Sequence, residues 1–173
     1  LVGALQNQLD PSGESVIYLY GPAGTGKSHL LQASCHEPGA ETIYLPLSDL
    51  RQYAARDVLQ GVENLDRICI DDIHVVLGDA KWEQALFNLY NDARQRGCRL
   101  VVAADAAPRA LAVNLEDLRS RLSWGIFYQF AQPEDHDKEA IFQFRASRRG
   151  LSLTPTVPSY IASRPPPAMD PSL

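Results

Sequence analysis

Long hydrophobic runs and closely spaced cysteines are both missing from this sequence of 173 residues. No apolar stretch approaches the roughly 20 residues that a membrane-spanning helix requires, and the N-terminal residues lack the basic and apolar regions of a signal peptide. The three cysteines, Cys35, Cys69 and Cys98, lie far apart, and no pair has the spacing of a metal-binding or redox motif. We therefore expect no membrane span and no zinc site, and unpaired cysteines favour a reducing, cytoplasmic compartment.

Positive charge is also scarce. The sequence has 16 Lys and Arg against 21 Asp and Glu, which gives a net charge of −5. Such a balance gives no reason to expect non-specific attraction to DNA or to an anionic membrane, so direct DNA binding is expected to be weak or absent. Apolar residues make up 45% and charged residues 21% of the chain, as in a domain with a packed core.

Five apolar runs of strand length alternate with helical patterns along the chain. The runs are continuous rather than alternating, which is typical of strands that are buried on both faces of a parallel sheet. Strands and helices in alternation predict α/β layers with right-handed crossovers. The predicted strands are 16–20, 42–46, 67–71, 99–104 and 125–130, and the predicted helices are 80–96, 115–122 and 134–149.

The most specific motif is GPAGTGKS at residues 21–28, between a predicted strand and a helical segment. It matches the phosphate-binding loop G-x-x-x-x-G-K-[ST] in full. Its glycines let several backbone N–H groups point at one phosphate, and the helix N-terminus adds its positive dipole end. The lysine supplies a charge to the β and γ phosphates. The predicted nucleotide-binding residues are Gly21, Pro22, Ala23, Gly24, Thr25, Gly26, Lys27, Ser28 and His29.

Two carboxylates end the strand predicted at 67–71. Asp71 stands where a P-loop ATPase holds magnesium, so Ser28 and Asp71 are the predicted metal ligands. Asp72 occupies the position at which such ATPases usually carry a water-activating glutamate, and it is one methylene shorter. Each has a structural alternative, because Asp71 could be a turn residue at the strand end and Asp72 could cap the next helix.

Two further positions complete the predicted catalytic set of Asp72, Asp105 and Arg121. Asp105 follows the strand at 99–104, where this class of ATPase places a sensor for the γ-phosphate; alternatively it starts a turn. Arg121 lies at the end of the short helix 115–122. Projecting from the domain edge, it would enter a neighbour's nucleotide site as an arginine finger, which is worth roughly 10³–10⁵ in rate. The alternative is an exposed arginine at a helix C-terminus.

Residues 16–130 resemble the AAA+ module of the DnaA/Hda family of bacterial replication proteins. The resemblance rests on GPAGTGKSHLLQA, ICIDDIH, VVAADAAP and LRSRLSWG, of which the last is the most family-specific. It implies an AAA+ P-loop NTPase core, with a five-stranded parallel sheet flanked by helices. Residues 1–148 would form the nucleotide-binding base domain. Residues 149–173, rich in proline, would be the truncated start of the helical lid domain, incomplete or partly disordered.

Within that family the chain looks more like the Hda branch than like DnaA. The segment between the strands at 42–46 and 67–71 is short, whereas DnaA carries a longer helical insertion there that engages single-stranded DNA. The block GDAKWEQALFNLYNDARQRGCRL at 78–100 also looks like Hda. The short clamp-binding motif of Hda proteins lies upstream of the residues present here, and residues 164–170 do not identify the second-sensor arginine of the lid.

The resemblance implies ADP or ATP with Mg²⁺ as cofactors. It implies DnaA and the DNA polymerase sliding clamp as partners, with a homodimer as a further option. An Hda-like protein holds ADP, docks on the DNA-loaded clamp and presents its finger to ATP bound by DnaA, which negatively regulates initiation of replication. Its own hydrolysis is expected to be weak. Two alternatives stay open: a helicase-loader-like AAA+ ATPase, and a non-hydrolysing ADP-binding adaptor, which the aspartate at position 72 favours.

Overall fold

A single parallel sheet organises the computed structural model, which describes residues 1–132. Its strands are β1 (Val16–Tyr20), β2 (Thr42–Pro46), β3 (Arg67–Asp71), β4 (Arg99–Ala104) and β5 (Ile126–Gln129). They lie side by side in the order β2-β3-β4-β1-β5. This arrangement confirms the predicted five-stranded parallel α/β fold.

The strand bounds follow from the continuous apolar runs. Every position of β3 is buried, as the pattern of a two-sided sheet predicts. The first four strands begin and end at the predicted residues, but β5 spans Ile126–Gln129 rather than 125–130. Gly125 has a φ of 87°, outside the extended region, so it belongs to the turn before the strand. Phe130 adds one ladder bond, its N–H donating to the carbonyl of Tyr20 at 2.7 Å.

Six helices surround the sheet in the described residues. The longest confirms the prediction at both ends, because the Asp79 carboxylate accepts from the N–H groups of Lys81 and Trp82 at its start and Gly97, with a φ of 74°, stops it. The helices are α1 (Val2–Gln6), α2 (Lys27–Ser34), α3 (Leu47–Leu50), α4 (Ala55–Leu59), α5 (Ala80–Arg96) and α6 (Glu116–Leu122).

Alternate residues of the strands point to opposite faces of the sheet and pack into two separate apolar clusters, one on each face. Tyr18 and Val102 pack with Leu86 on the face covered by α5 and α6. Cys69 packs with Leu31 on the face covered by α1 and α2. Residues 1–131 therefore form three layers, with the carboxyl ends of the strands meeting along one edge.

One charged side chain is buried where β3 begins. Arg67 is 1% exposed. Its Nη1 donates to the carbonyl of Ser34 at 2.8 Å and lies 3.0 Å from the Glu37 carboxylate, while its Nη2 donates to the carbonyl of Leu5 at 2.8 Å. These contacts join the ends of α1 and α2 to β3, which is a structural use of a buried cation that the apolar pattern did not predict.

Residues Leu1–Ala131 form one compact unit. In the described part of the chain no helix is both long enough and apolar enough to span a membrane. The predicted helix at 134–149, the domain boundary at 148 and the lid fragment at 149–173 lie outside the described residues.

Candidate nucleotide site and arginine finger

The predicted phosphate loop joins β1 to α2. Gly21, Gly24 and Gly26 have φ angles of 148°, 78° and 96°, a region that side-chain-bearing residues rarely adopt. At Gly21 there is also no space, since a Cβ atom would lie 2.2 Å from the carbonyl oxygen of Phe130. The backbone therefore has the curled path, leading directly into a helix N-terminus, that suits a phosphate group.

Lys27 lies inside this loop rather than on the surface. It is 6% exposed, and its Nζ donates to the carbonyls of Gly21 at 2.6 Å and Pro22 at 2.8 Å. Next to it on the first turn of α2, Ser28 is half-buried and His29 is exposed. The structure thus places the predicted lysine against the loop, while the serine beside it is half-buried and the histidine is exposed to solvent.

Asp71 ends β3 as a buried carboxylate, 2% exposed. Its Oδ2 accepts from the Tyr44 hydroxyl at 2.7 Å, and its Oδ1 accepts from the N–H of Asp72 at 3.0 Å. Burial, followed by this hydrogen bond, raises the pKa of Tyr44 to about 12. The phenol therefore stays protonated and orients the carboxylate, whose remaining lone pairs are available to a cation.

Asp72 is the one residue other than glycine with a positive φ in the described chain, at 54°. Its Oδ2 accepts from the Ser48 hydroxyl at 2.7 Å. It precedes the 3₁₀ turn at Ile73–Val76, but its side chain makes no capping hydrogen bond there. The helix-cap alternative for Asp72 is therefore absent from the structure, and the strained backbone directs the carboxylate toward α3 instead.

Asp105 follows β4 and is exposed. Its N–H donates to Nδ1 of His74 at 3.2 Å, and its carboxylate lies 3.7 Å from the same nitrogen. The polar side chain that was predicted as a sensor thus lies beside His74 at the carboxyl end of the sheet.

The carboxylates of Asp71, Asp72 and Asp105 all influence the pKa of Lys27. Burial lowers the pKa of Lys27, and the negative charges of Asp72, Asp71 and Asp105, in that order, oppose the shift. Because β4 lies between β3 and β1 in the parallel sheet, the carboxyl ends of β3 and β4 lie near the loop after β1. The site combines a phosphate-sized backbone cradle, one cation and three acids within electrostatic reach of one another.

Sequence reasoning missed the two hydroxyls that hold the paired acids. Tyr44 belongs to β2 and Ser48 to α3 directly after it. Because β2 lies beside β3 in parallel register, polar residues at the end of one strand reach those of the other. Finding these two hydroxyls requires the order of the strands in the sheet. The sequence pattern gives the strands but not their order.

Arg121 occupies a different part of the molecule. Its Nε donates to the Asn91 amide oxygen at 2.9 Å, and its guanidinium lies 4.2 Å from the ring centroid of Trp124 and 5.4 Å from that of Phe87. The terminal Nη atoms make no hydrogen bond in residues 1–132. Arg121 is half-buried, so the side chain is held at one edge while two donors remain available.

The two sites lie at opposite ends of β5. Trp124 comes just before the strand and lines a cavity with Val16 and Leu100, at the amino ends of β1 and β4. Phe130, just after the strand, touches Gly21 of the phosphate loop. Four strand residues span roughly 13 Å. Arg121 therefore does not face the chain's own phosphate loop.

These features define a class. A sheet ordered β2-β3-β4-β1-β5, with a phosphate loop after β1 and paired acids after β3, is a P-loop NTPase core of the AAA+ type. Residues 10–129 match the family described as the bacterial DnaA ATPase domain, which is more than half of the chain. The chain belongs to that family.

Solved structures share the fold. DnaA of Aquifex aeolicus bound to AMPPCP is 24% identical with a TM-score of 0.78, over 92% of this chain and 54% of that one. Domain III of Thermotoga maritima DnaA is 23% identical with a TM-score of 0.77, over 93% and 73%. A Thermotoga maritima RuvB variant is 23% identical with a TM-score of 0.67, over 93% and 53%. This chain thus spans about half the length of several structures that it matches.

Proposed function

We propose that this chain is a nucleotide-bound AAA+ regulator that completes the ATPase site of the replication initiator DnaA in trans, with Arg121 as the arginine finger. The observation that carries the proposal is the separation of Arg121 from the chain's own phosphate loop by the length of β5. An arginine whose terminal donors have no partner within residues 1–132, and which lies away from its own nucleotide site, is arranged to serve a neighbouring one.

The proposed cofactor is an adenine nucleotide, ADP or ATP, with Mg²⁺. Two DnaA relatives were solved with AMPPCP, which supports the choice of base. Magnesium usually takes one or two protein oxygens and completes its shell with phosphates and water. The Ser28 hydroxyl and the buried Asp71 carboxylate fit that donor set. When bound, the ion would neutralise phosphate charge; Gly21–Ser28 would hold the phosphates, and Asp72 and Asp105 would face the γ position.

The partners follow from the same proposal. DnaA supplies the ATP that is hydrolysed, and the sliding clamp, loaded on DNA, brings the two proteins together. A homodimer would use the same edge of the domain around Arg121. We assign the base domain to residues 1–148 and the start of the lid to 149–173. A relative is described as bound to single-stranded DNA, but the net charge of −5 gives this chain no general affinity for DNA.

The decisive experiment measures hydrolysis of labelled ATP that is pre-bound to DnaA. The full-length protein that contains this chain is added with ADP and DNA-loaded clamp. The wild type should stimulate hydrolysis strongly, and Arg121→Ala should remove the stimulation. Arg56→Ala, which changes an exposed arginine on α4, is the matched control and should behave like the wild type. A wild-type protein that leaves the rate unchanged would refute the proposal.

One observation favours a second candidate, a non-hydrolysing adaptor that binds ADP. Asp72 has a shorter side chain than glutamate and is hydrogen-bonded to Ser48 at 2.7 Å, which draws it toward α3. Such a protein would bind nucleotide tightly and turn over none with any partner. Basal turnover that disappears in Lys27→Ala would exclude this candidate. The two functions are compatible if the chain is inactive on its own nucleotide but acts on that of DnaA.

A further inference from the structure

A buried carboxylate on α5 contacts the start of the helix that carries Arg121. Glu83 is 1% exposed. Its carboxylate accepts from the N–H groups of Leu115 at 2.7 Å, Asn114 at 3.0 Å and Gly78 at 2.8 Å. Three backbone donors on one buried carboxylate form a charge-assisted cluster, which is stronger than the same number of neutral hydrogen bonds.

The start of α6 has no side-chain cap of its own. Leu115 stands at the N-cap position, and its side chain cannot accept a hydrogen bond. Glu83 instead binds the chain just before the first turn, through the N–H groups of Asn114 and Leu115, and its negative charge lies near the positive end of the α6 dipole. Burial opposes ionisation, but the three backbone bonds and the charge of Arg119 outweigh it and lower the pKa of Glu83. The carboxylate is therefore ionised at neutral pH.

A second side chain holds the same segment from the other side. Arg119, on α6, donates to the carbonyl of Val113 at 2.6 Å and of Leu111 at 3.4 Å, and its Nε lies 3.4 Å from the Glu116 carboxylate. Within the segment 111–115, the Glu83 carboxylate thus binds two N–H groups and the Arg119 guanidinium binds two carbonyls. Neither contact involves Arg121, which lies two residues beyond Arg119.

We propose that Glu83 is a positioning residue for the arginine finger. It fixes the start of α6 against α5, so that the helix presents Arg121 at a set place beside Asn91 and Trp124. It also binds Gly78, which ends the segment that follows Asp72, so one carboxylate joins that segment to the finger helix. The proposal rests on the proposed trans function for its consequence, but the placement of α6 is testable by itself.

The test uses Glu83→Gln in the full-length protein, with two independent measurements. The amide has nearly the same shape, but it loses the charge and one acceptor oxygen. Amide hydrogen exchange should become faster in residues 114–122 while β4 keeps its protection. Stimulation of DnaA-bound ATP hydrolysis at saturating protein should fall about tenfold, since a small displacement of a catalytic group can cost about 100-fold. The concentration for half-maximal stimulation and the affinity for ADP should change much less.

Two further variants complete the design. Asp92→Asn, which neutralises an exposed carboxylate on the same helix, should leave both measurements unchanged. If Glu83→Gln does not fold, Arg119→Gln releases the segment from its other side with Glu83 intact, and it should produce the same local exchange with a smaller loss of stimulation.

The outcomes separate this proposal from the function on which it rests. Faster exchange confined to 114–122 supports the positioning role even if the wild-type protein stimulates nothing, in which case only the trans function fails. Wild-type exchange in residues 114–122 of Glu83→Gln would overturn the proposal. So would faster exchange throughout the sheet, with stimulation falling only as far as the folded fraction falls, because Glu83 would then serve stability alone.

Discussion

The guanidinium of Arg121 lies 4.2 Å from the ring centroid of Trp124, only three positions along the chain. Arg94 lies 4.6 Å from the same ring, so the indole has a cation close to it from each of two helices. Trp124 thereby lowers the energetic cost of bringing two positive charges to one edge of the domain, since each gains a cation–π contact. Two arginines thus share one aromatic ring in a protein whose overall charge is negative.

Asn91 should influence how well Arg121 works. Replacing Asn91 with Ala removes the acceptor for Nε, and the guanidinium then keeps only its aromatic contacts. A hydrogen bond to a charged group contributes roughly 1.5–3 kcal/mol when buried and less when half-exposed, so stimulation should fall about fivefold to tenfold. Asn91→Gln tests whether the acceptor alone is enough. Stimulation by Asn91→Ala equal to that of the wild type would show that the aromatic contacts are sufficient.

Lys27 should determine nucleotide affinity. Lys27→Ala removes the one cation inside the phosphate loop, and loss of charge-assisted bonds to phosphate should weaken ADP binding by about 10- to 100-fold. Titration with a fluorescent ADP analogue measures the change directly. Lys81→Ala, at an exposed position on α5, is the control and should bind as the wild type does. Equal affinities of the two variants would place the nucleotide elsewhere.

Arg67 should be important for stability. Arg67→Leu leaves the carbonyls of Ser34 and Leu5 without their donor inside the protein and removes the partner of Glu37. Each buried carbonyl left without a donor costs roughly 1–3 kcal/mol, so the loss for the two carbonyls should be about 2–6 kcal/mol, which urea denaturation can measure. Glu37→Gln changes the partly exposed end of the same contact and should cost less than about 1 kcal/mol. Similar losses in the two variants would mean that the ion pair, not the backbone contacts, dominates.

Cys35 should react with alkylating agents at lower pH than an ordinary thiol. A hydrogen bond from the Cys69 thiol, only partly offset by burial, lowers the pKa of Cys35 to about 7. Since the thiolate is the nucleophile, the rate of reaction with iodoacetamide should rise through about pH 7. Cys69→Ala removes the donor and should shift that rise to higher pH, while Cys69→Ser retains a donor. Identical pH profiles in all three proteins would show that the Cys69 contact has no effect.

The strands and the phosphate loop were predictable because each has a local cause. Continuous apolar runs identified β1 to β4 residue by residue, and Gly21 to Ser28 fit a motif whose spacing follows from the phosphate. Contacts between residues distant in sequence were not predictable. Cys35 approaches Cys69 only once α2 packs on β3, and the hydroxyls of Tyr44 and Ser48 reach the paired acids only once β2 lies beside β3.

Glu83 illustrates the same limit. In the sequence it is one polar residue among several on α5, and an amphipathic pattern favours placing it at the surface. Its burial follows from the backbone N–H groups of a segment that lies about 30 residues further along the chain. No periodicity within a helix encodes a partner of that kind.

The close contact between Gly21 and Phe130 ties the carboxyl end of β5 to the phosphate loop, so the length of β5 sets a distance within the domain. The two ends of β5 fix the distance between the place where the chain would receive its own nucleotide and the place where it would offer an arginine. Substitutions that keep the strand apolar leave that distance unchanged. An insertion or deletion of one residue reverses every side chain and shifts one end against the other. Natural variation in β5 should therefore occur by exchange of residues at constant length.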